Sequence, residues 1–221
     1  MELILASASP RRQELIQLLG LPWRVVVAEV DEESISHPDP AQDVIQTARL
    51  KAADVVRRAS EKAVVVAADT TVVLDGRRLN KPSSEVEARE MLRQLRGRTH
   101  HVHTGIVVVD VNSDRWVTDV ATVEVPMRAY SEAELVAYVA TGDPLDKAGA
   151  YAIQHPEFRP VVGLTGCYAG VVGLPLCHLT RALTQVGVDV RENIASACQA
   201  HHDYDCPIFG KILGHPSLDP E

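Results

Sequence analysis

Leu3-Ile4-Leu5-Ala6-Ser7-Ala8-Ser9-Pro10-Arg11-Arg12 opens the chain as a short apolar strand, a polar turn and the start of a helix. Ser9 suits the helix N-cap and Pro10 the first helical position, where a missing N–H is no loss. Leu15, Ile16, Leu18 and Leu19 then fall on one helical stripe, which Gly20 ends. First-turn N–H groups, serine hydroxyls and two guanidinium groups would converge on one small volume. Helix N-termini favour negative charge, and arginine grips phosphate oxygens with two parallel donors. The turn therefore reads as an anion site. The same residues also describe an ordinary capped helix carrying two surface arginines.

Outward from this stretch, strands and helices alternate. Trp23 to Val30 reads as a strand, followed by the acidic turn Asp31-Glu32-Glu33. His37-Pro38-Asp39-Pro40 breaks the chain before a long helix through Val44, Ala48, Lys51, Ala52 and Val55. Ala63 to Ala68 is a continuous apolar run, the mark of a strand buried on both faces. Asp75-Gly76 is a hairpin turn, and Ser84 with Glu87 has capping-box spacing ahead of a helix reaching Leu95. His101 to Asp110 and Trp116 to Val125 read as antiparallel strands. Ser131 with Glu134 opens another helix, and a strand is expected over Val161 to Leu164. A helix from Leu176 to Val186 should close the regular structure. The pattern predicts an α/β fold with a mixed, partly antiparallel sheet flanked by helices.

At 221 residues and 46% apolar, the chain can bury a substantial core. A net charge of −8 argues against a broad basic surface for duplex nucleic acid. No apolar run approaches a membrane span and no secretory leader is visible, so the expectation is a cytosolic protein without a membrane partner. The four cysteines, at 167, 177, 198 and 206, do not suggest a secreted disulfide scaffold. Between Cys198 and Cys206, His201 and His202 put thiols and imidazoles within reach of a zinc ion, without paired Cys-x-x-Cys spacing. The alternative for that segment is a loosely ordered tail.

Polar residues gather where apolar strands end, the usual place for ligand sites in α/β proteins. Asp69-Thr70-Thr71 closes the valine run, and Asp69 could hold a divalent cation, take a proton from water, or simply cap the hairpin. Lys51 and Lys81 are candidate phosphate partners or plain surface charges. Asp146-Lys147-Ala148-Gly149-Ala150-Tyr151-Ala152-Ile153-Gln154 joins a charged pair, a glycine turn and an amide able to read a base edge. The chain has no Walker loop, no Gly-x-Ser-x-Gly elbow and no Gly-x-Gly-x-x-Gly turn, which excludes the commonest nucleotide and hydrolase motifs.

The order of these motifs resembles the Maf family of nucleoside triphosphate pyrophosphatases. The resemblance runs from Leu3 to about Gly187. It is carried by Ala6 to Arg12, Val30 to Glu33, Ala48 to Ala52, Ala67 to Val72, Lys81-Pro82, Gly97 to His100, Thr104-Gly105, Asp146 to Tyr151 and Val172 to Leu176. It implies a catalytic domain over residues 1–190 with two lobes around a central cleft, plus a C-terminal extension, 191–221, with no assigned role. It also implies cleavage of a nucleoside triphosphate between its α and β phosphates, with a divalent cation. Ala68-Asp69-Thr70 matches the branch acting on dTTP and UTP, where the 7-methyl-GTP branch has Ser-Asp-Gln.

Carried over by position, Asp69 becomes the general base, and Arg11, Thr70 and Gln154 the specificity residues. Glu32 and Asp69 are then expected to hold Mg²⁺ or Mn²⁺. Arg11, Arg12, Lys51 and Lys81 would neutralise the triphosphate, with Ser7 and Ser9 completing the cradle. The chain departs from the family at His155, where glycine is usual, at Gly170, where a polar residue is commoner, and loosely over Val123 to Arg128. A homodimer is expected from the exposed strands of such a sheet. The rival reading is a nucleotide-binding regulator of cell division that does not catalyse. The enzyme reading requires Arg11, Arg12 and Asp69 to share one hollow.

Overall fold

The apolar runs assemble into a six-stranded sheet in a computed structural model that describes residues 2–60, 62–190 and 192–214. Its strands are β1 (Glu2–Leu5), β2 (Trp23–Val25), β3 (Ala63–Leu74), β4 (Arg77–Leu79), β5 (Thr99–Asp110) and β6 (Arg115–Pro126). The order is β2-β1-β3-β5-β6, with β4 also paired to β3. β1 runs parallel to β2 and β3, while the β3–β4, β3–β5 and β5–β6 pairs are antiparallel. The sheet is mixed, as the sequence predicts.

β3 is continuously apolar because both its faces are covered. Val64, Val66 and Ala68 join a large core with Leu3, Leu5, Leu15, Ile16 and the later helices. Val65 and Ala67 face the other way, against Ala48, Ala52 and Val55 of helix α2 (Pro40–Val56). Strand alternation then puts Asp69 on the α2 face and Thr70 on the opposite one. Gly105, opposite Asp69 in register, lets α2 cross very close. A Cβ there would lie 2.8 Å from backbone atoms of Val44 and Ile45.

The neighbours of β3 create the key opening. β5 covers one edge over Val64–Val73. On the other edge, β1 pairs with Ala63–Val66 and β4 with Val72–Leu74. Residues 67–71 have no strand beside them on that edge. There the chain leaves β1 through Ser7 and enters α1 (Pro10–Ile16).

The remaining helices are α3 (Glu85–Leu95), α4 (Glu132–Ala140), α5 (Tyr168–Val172), α6 (Leu176–Gln185), α7 (Ile194–His202) and α8 (Phe209–Leu213). The last two correct the expectation that regular structure ends near Val186. Ile194 and Ile212 are buried in the main core, and α7 and α8 both pack on α6. β2 ends at Val25, not Val30, since β1 stops at Leu5 and Val26 N–H makes the last bond, to the Leu5 carbonyl. The expected strand at Val161 shrinks to one bridge with Met127; Arg159 and Gly163, at φ 40° and 62°, bend the chain away. Ser131 and Glu134 form a complete capping box. At α3, Ser84 caps the Glu87 N–H, but the Glu87 carboxylate turns back to Ser83 instead.

Candidate active site in the gap along β3

On the α2 face of the gap, Lys51 Nζ lies 2.7 Å from both Asp69 Oδ1 and Glu32 Oε2. α2 carries the lysine inward, and its side chain is only 8% exposed. Glu32 sits on a short 3₁₀ turn (Glu32–Ser34) started by Asp31, whose carboxylate accepts the Glu33 N–H. The loop behind it is pinned to α2 and β4. Asp43 accepts the His37 N–H at 2.7 Å, while Arg78 donates to the His37 carbonyl and pairs with Asp43 at 2.8 Å. An ammonium has three donors, so Lys51 keeps one N–H for a third acceptor.

On the other face, Arg12 stitches the gap shut from behind. Its Nε donates to the Gly173 carbonyl at 2.9 Å, and one terminal nitrogen donates to the Ala68 carbonyl at 2.8 Å and to Ser7 Oγ. The other donates to Thr70 Oγ1 at 3.1 Å. Four of its five N–H groups are thus spent on the protein. Burial lowers the Arg12 pKa, and Asp69 and Glu32 oppose that shift; guanidinium stays cationic regardless. Arg12 therefore positions the gap and lends it charge, with a single N–H left for a ligand.

Thr104, which sequence reasoning left without a role, completes this network. Its hydroxyl donates to the Gly170 carbonyl at 2.8 Å and lies 2.9 Å from Thr70 Oγ1. One proton serves one bond, so Thr70 must donate to Thr104 while accepting from Arg12. What Thr70 can still offer is an acceptor. Gly170 fits this wall because a Cβ would press within 3.3 Å of Ala121 and 3.4 Å of Cys167.

Ser9 holds the N-cap position of α1, but its side chain makes no capping bond. Ser7 Oγ accepts the Ser9 N–H at 3.2 Å, which ties the turn just ahead of the helix. Arg11 reaches Asp146 at 3.4 Å. It also lines a cleft of about 340 Å³ with Gln154, Glu14, Val172, His201 and Asp203. His155, in place of the family glycine, caps its own turn: Nδ1 accepts the Phe158 N–H at 3.0 Å and the ring packs edge-on to Tyr138. Lys147 is buried on Asp143 and Asp146, which makes it an internal brace. Lys81 is exposed just beyond β4, with no ion pair among the described residues.

The structure thus joins Glu32, Lys51 and Asp69 on one face of β3, and Ser7, Arg12 and Thr70 on the other. Arg11 and Gln154 occupy the adjoining cleft. The residues expected to share one hollow stand on the two faces of one open strand edge, with Asp69 and Glu32 among the charges that act on Arg12. The histidines and cysteines of 198–206 separate: His201 and His202 face the cleft, whereas Cys198 and Cys206 face a different cavity. Burial and His201 push His202 down to about 4, so it meets the cleft neutral.

A mixed sheet with an open strand edge, lined by buried cations and two carboxylates, defines an α/β protein equipped to hold an anionic ligand. The chain belongs to the Maf-like protein family, whose model matches residues 2–186. A dTTP/UTP pyrophosphatase of Pelotomaculum thermopropionicum is 45% identical over 189 residues, covering 86% of this chain and 98% of that one. One from Bacillus cereus is 42% identical, covering 86% and 97%. A solved dITP/XTP pyrophosphatase from Mycobacterium abscessus aligns at a TM-score of 0.42 and 15% identity, covering 84% and 94%, too distant to inform the site. No helix among the described residues is long and apolar enough to cross a membrane.

Proposed function

We propose that this protein hydrolyses nucleoside triphosphates, dTTP and UTP foremost, between the α and β phosphates, releasing a monophosphate and pyrophosphate. The observation that carries the reading is Lys51 held between Glu32 and Asp69 at the open edge of β3, in a chain whose relatives are named for that activity.

Attack on phosphorus needs a positioned water and compensation of growing charge. Asp69 accepts the proton of the water, and Lys51, 2.7 Å away, holds that carboxylate in place. The free N–H of Lys51, the Arg11 guanidinium and the Lys81 ammonium meet the phosphate oxygens. Ser7, Ser9 and the first-turn amides of α1 complete the cradle, and Arg12 adds charge through its remaining donor. Glu32 and Asp69 fit a Mg²⁺ or Mn²⁺ ion, which takes one or two carboxylates and fills its shell with phosphates and water. Such an ion supplies charge neutralisation and a more acidic water.

Thr70 and Gln154 read the base. Thr70 offers only an acceptor, which the N3–H of thymine or uracil satisfies and the bare N3 of cytosine does not. Cytosine N3 would set its lone pair against that oxygen, so this contact favours dTTP and UTP over CTP. This reading puts the protein in the cytosol with a nucleotide as its ligand, without duplex nucleic acid or membrane partners. A homodimer through outer strands β2 or β6 is compatible with it.

Pyrophosphate release across dTTP, UTP, CTP, dATP and GTP, with and without Mg²⁺ or Mn²⁺, tests the proposal. Fastest metal-dependent release from dTTP and UTP is expected. Binding of these nucleotides without any pyrophosphate would overturn it in favour of the regulatory reading.

A further inference from the structure

The cleft that Arg11 and Gln154 share has one wall made outside the family domain. His201, His202 and Asp203 line it, and they belong to the end of α7 and the residue that stops it. The family match ends at residue 186, and 189 residues of this chain already span 98% and 97% of the two relatives. The wall is therefore an addition to that domain.

Packing fixes its place. Ile194 and Ala195, at the start of α7, are buried, and the Tyr204 hydroxyl bonds to the Leu164 and Gly166 carbonyls. Tyr168 of α5 lies 4.5 Å from the His202 ring and 5.5 Å from the Tyr204 ring. His201 in turn stands edge-on to His202 at 4.8 Å. Asp203 leaves the helix in the left-handed conformation, at φ 48°, which aspartate tolerates better than most residues. Both His201 and Asp203 stay exposed.

The charges of the cleft decide which part of a nucleotide it takes. Its volume, about 340 Å³, is that of a small-molecule site. Arg11 is the one arginine or lysine in the lining, and it already reaches Asp146 at 3.4 Å, whereas Glu14 and Asp203 bring two carboxylates. A triphosphate placed against those carboxylates would be repelled. Sugar hydroxyls and base N–H groups are donors, which the carboxylates and the Gln154 amide oxygen can accept. We infer that this cleft receives the nucleoside end of the substrate, and that His201 and Asp203 of the C-terminal extension are specificity-determining residues there. The inference deepens the proposed pyrophosphatase reading and rests on it. The triphosphate then lies toward Lys51 and the first turn of α1, to which Arg11 also belongs.

The test sets His201→Ala/Asp203→Asn beside the wild-type full chain. Asp205→Asn, exposed and outside the cleft lining, is the control. Pyrophosphate release gives kcat and KM for dTTP and UTP, and inorganic tripolyphosphate, which has no nucleoside, serves as a competing ligand. Loss of a hydrogen bond to a charged group predicts a KM raised about tenfold for both nucleotides, with kcat little changed. Inhibition by tripolyphosphate should stay as in the wild type, whereas a merely structural disturbance would weaken it along with the nucleotides. Should circular dichroism show the double variant unfolded, Asp203→Asn alone, which keeps the left-handed turn, carries the same comparison. A wild-type KM in the folded variant, or an equal loss for tripolyphosphate, would overturn the inference and leave the hydrolytic reading intact. Wild-type protein that releases no pyrophosphate would instead sink that reading. Dissociation constants of a non-hydrolysable dTTP analogue then decide the inference, again by a tenfold loss in the variant or none.

Discussion

At the β3 gap, Lys51 is 8% exposed and touches two carboxylates; beside α6, four cysteines line an apolar cavity and, among the described residues, the one hydrogen bond to their sulfurs comes from Gly170. Both places bury polar atoms, and each settles the cost differently. The first pairs opposite charges and leaves one donor free. The second keeps its sulfurs uncharged: burial pushes the Cys177 thiol up to about 11 and Cys198 up to about 12. Removing a member of the charged set should chiefly damage chemistry. Disturbing the extension should chiefly damage stability.

Lys51→Met is the harshest way to break this contrast. It leaves Glu32 and Asp69 facing each other without a counter-charge. Loss of one preorganised electrostatic donor predicts a fall in kcat of about 10³-fold, about 4 kcal/mol of barrier. A variant with near-normal dTTP turnover would show that the ion pair is only structural. Ending the chain at Val190 probes the other side. It removes the burial of Ile194 and Ile212, which are 3% and 9% exposed. Full burial of such side chains contributes about 1.5–3 kcal/mol each, so denaturant unfolding should show a loss of about 3 kcal/mol. The same truncation should raise KM through the lost cleft wall while kcat changes far less.

His100 sharpens the comparison through pH. It is buried, 2.8 Å from the Tyr151 hydroxyl, and burial lowers its pKa from 6.5 to about 4. Below pH 6.5 the unfolded chain takes up a proton that the folded chain refuses. Stability is therefore complete above pH 6.5 and declines as pH falls toward 4, by up to about 3 kcal/mol. The slope of unfolding free energy over that window should flatten in His100→Gln. Tyr204→Phe is the mildest probe. The Tyr204 hydroxyl shares its proton between the Leu164 and Gly166 carbonyls, both at 3.0 Å, and ties the extension to that loop. Its loss should cost about 1 kcal/mol in thermal unfolding.

The same division governed what could be read from the chain. β3, β5 and β6 were legible because their apolar runs are long, and Asp69 stood out because it ends a buried run. Lys51 was legible only through its helix and the family resemblance. The two-sided character of the gap was not, because it depends on β1 stopping at Leu5 and β4 stopping at Leu79 along the same edge of β3. Helices α7 and α8 were missed because each is short, and their stability comes from packing on α6. The gathering of four cysteines has no signature in sequence spacing, with Cys167 and Cys206 almost forty residues apart.

The central claim is that Asp69, held by Lys51 at the open edge of β3, activates the water that cleaves the triphosphate. Steady-state pyrophosphate release from dTTP by Asp69→Asn, beside equilibrium binding of a non-hydrolysable dTTP analogue, tests it most directly. Turnover reduced at least about 10³-fold with analogue binding retained is the predicted result. Wild-type release by the variant would contradict the account.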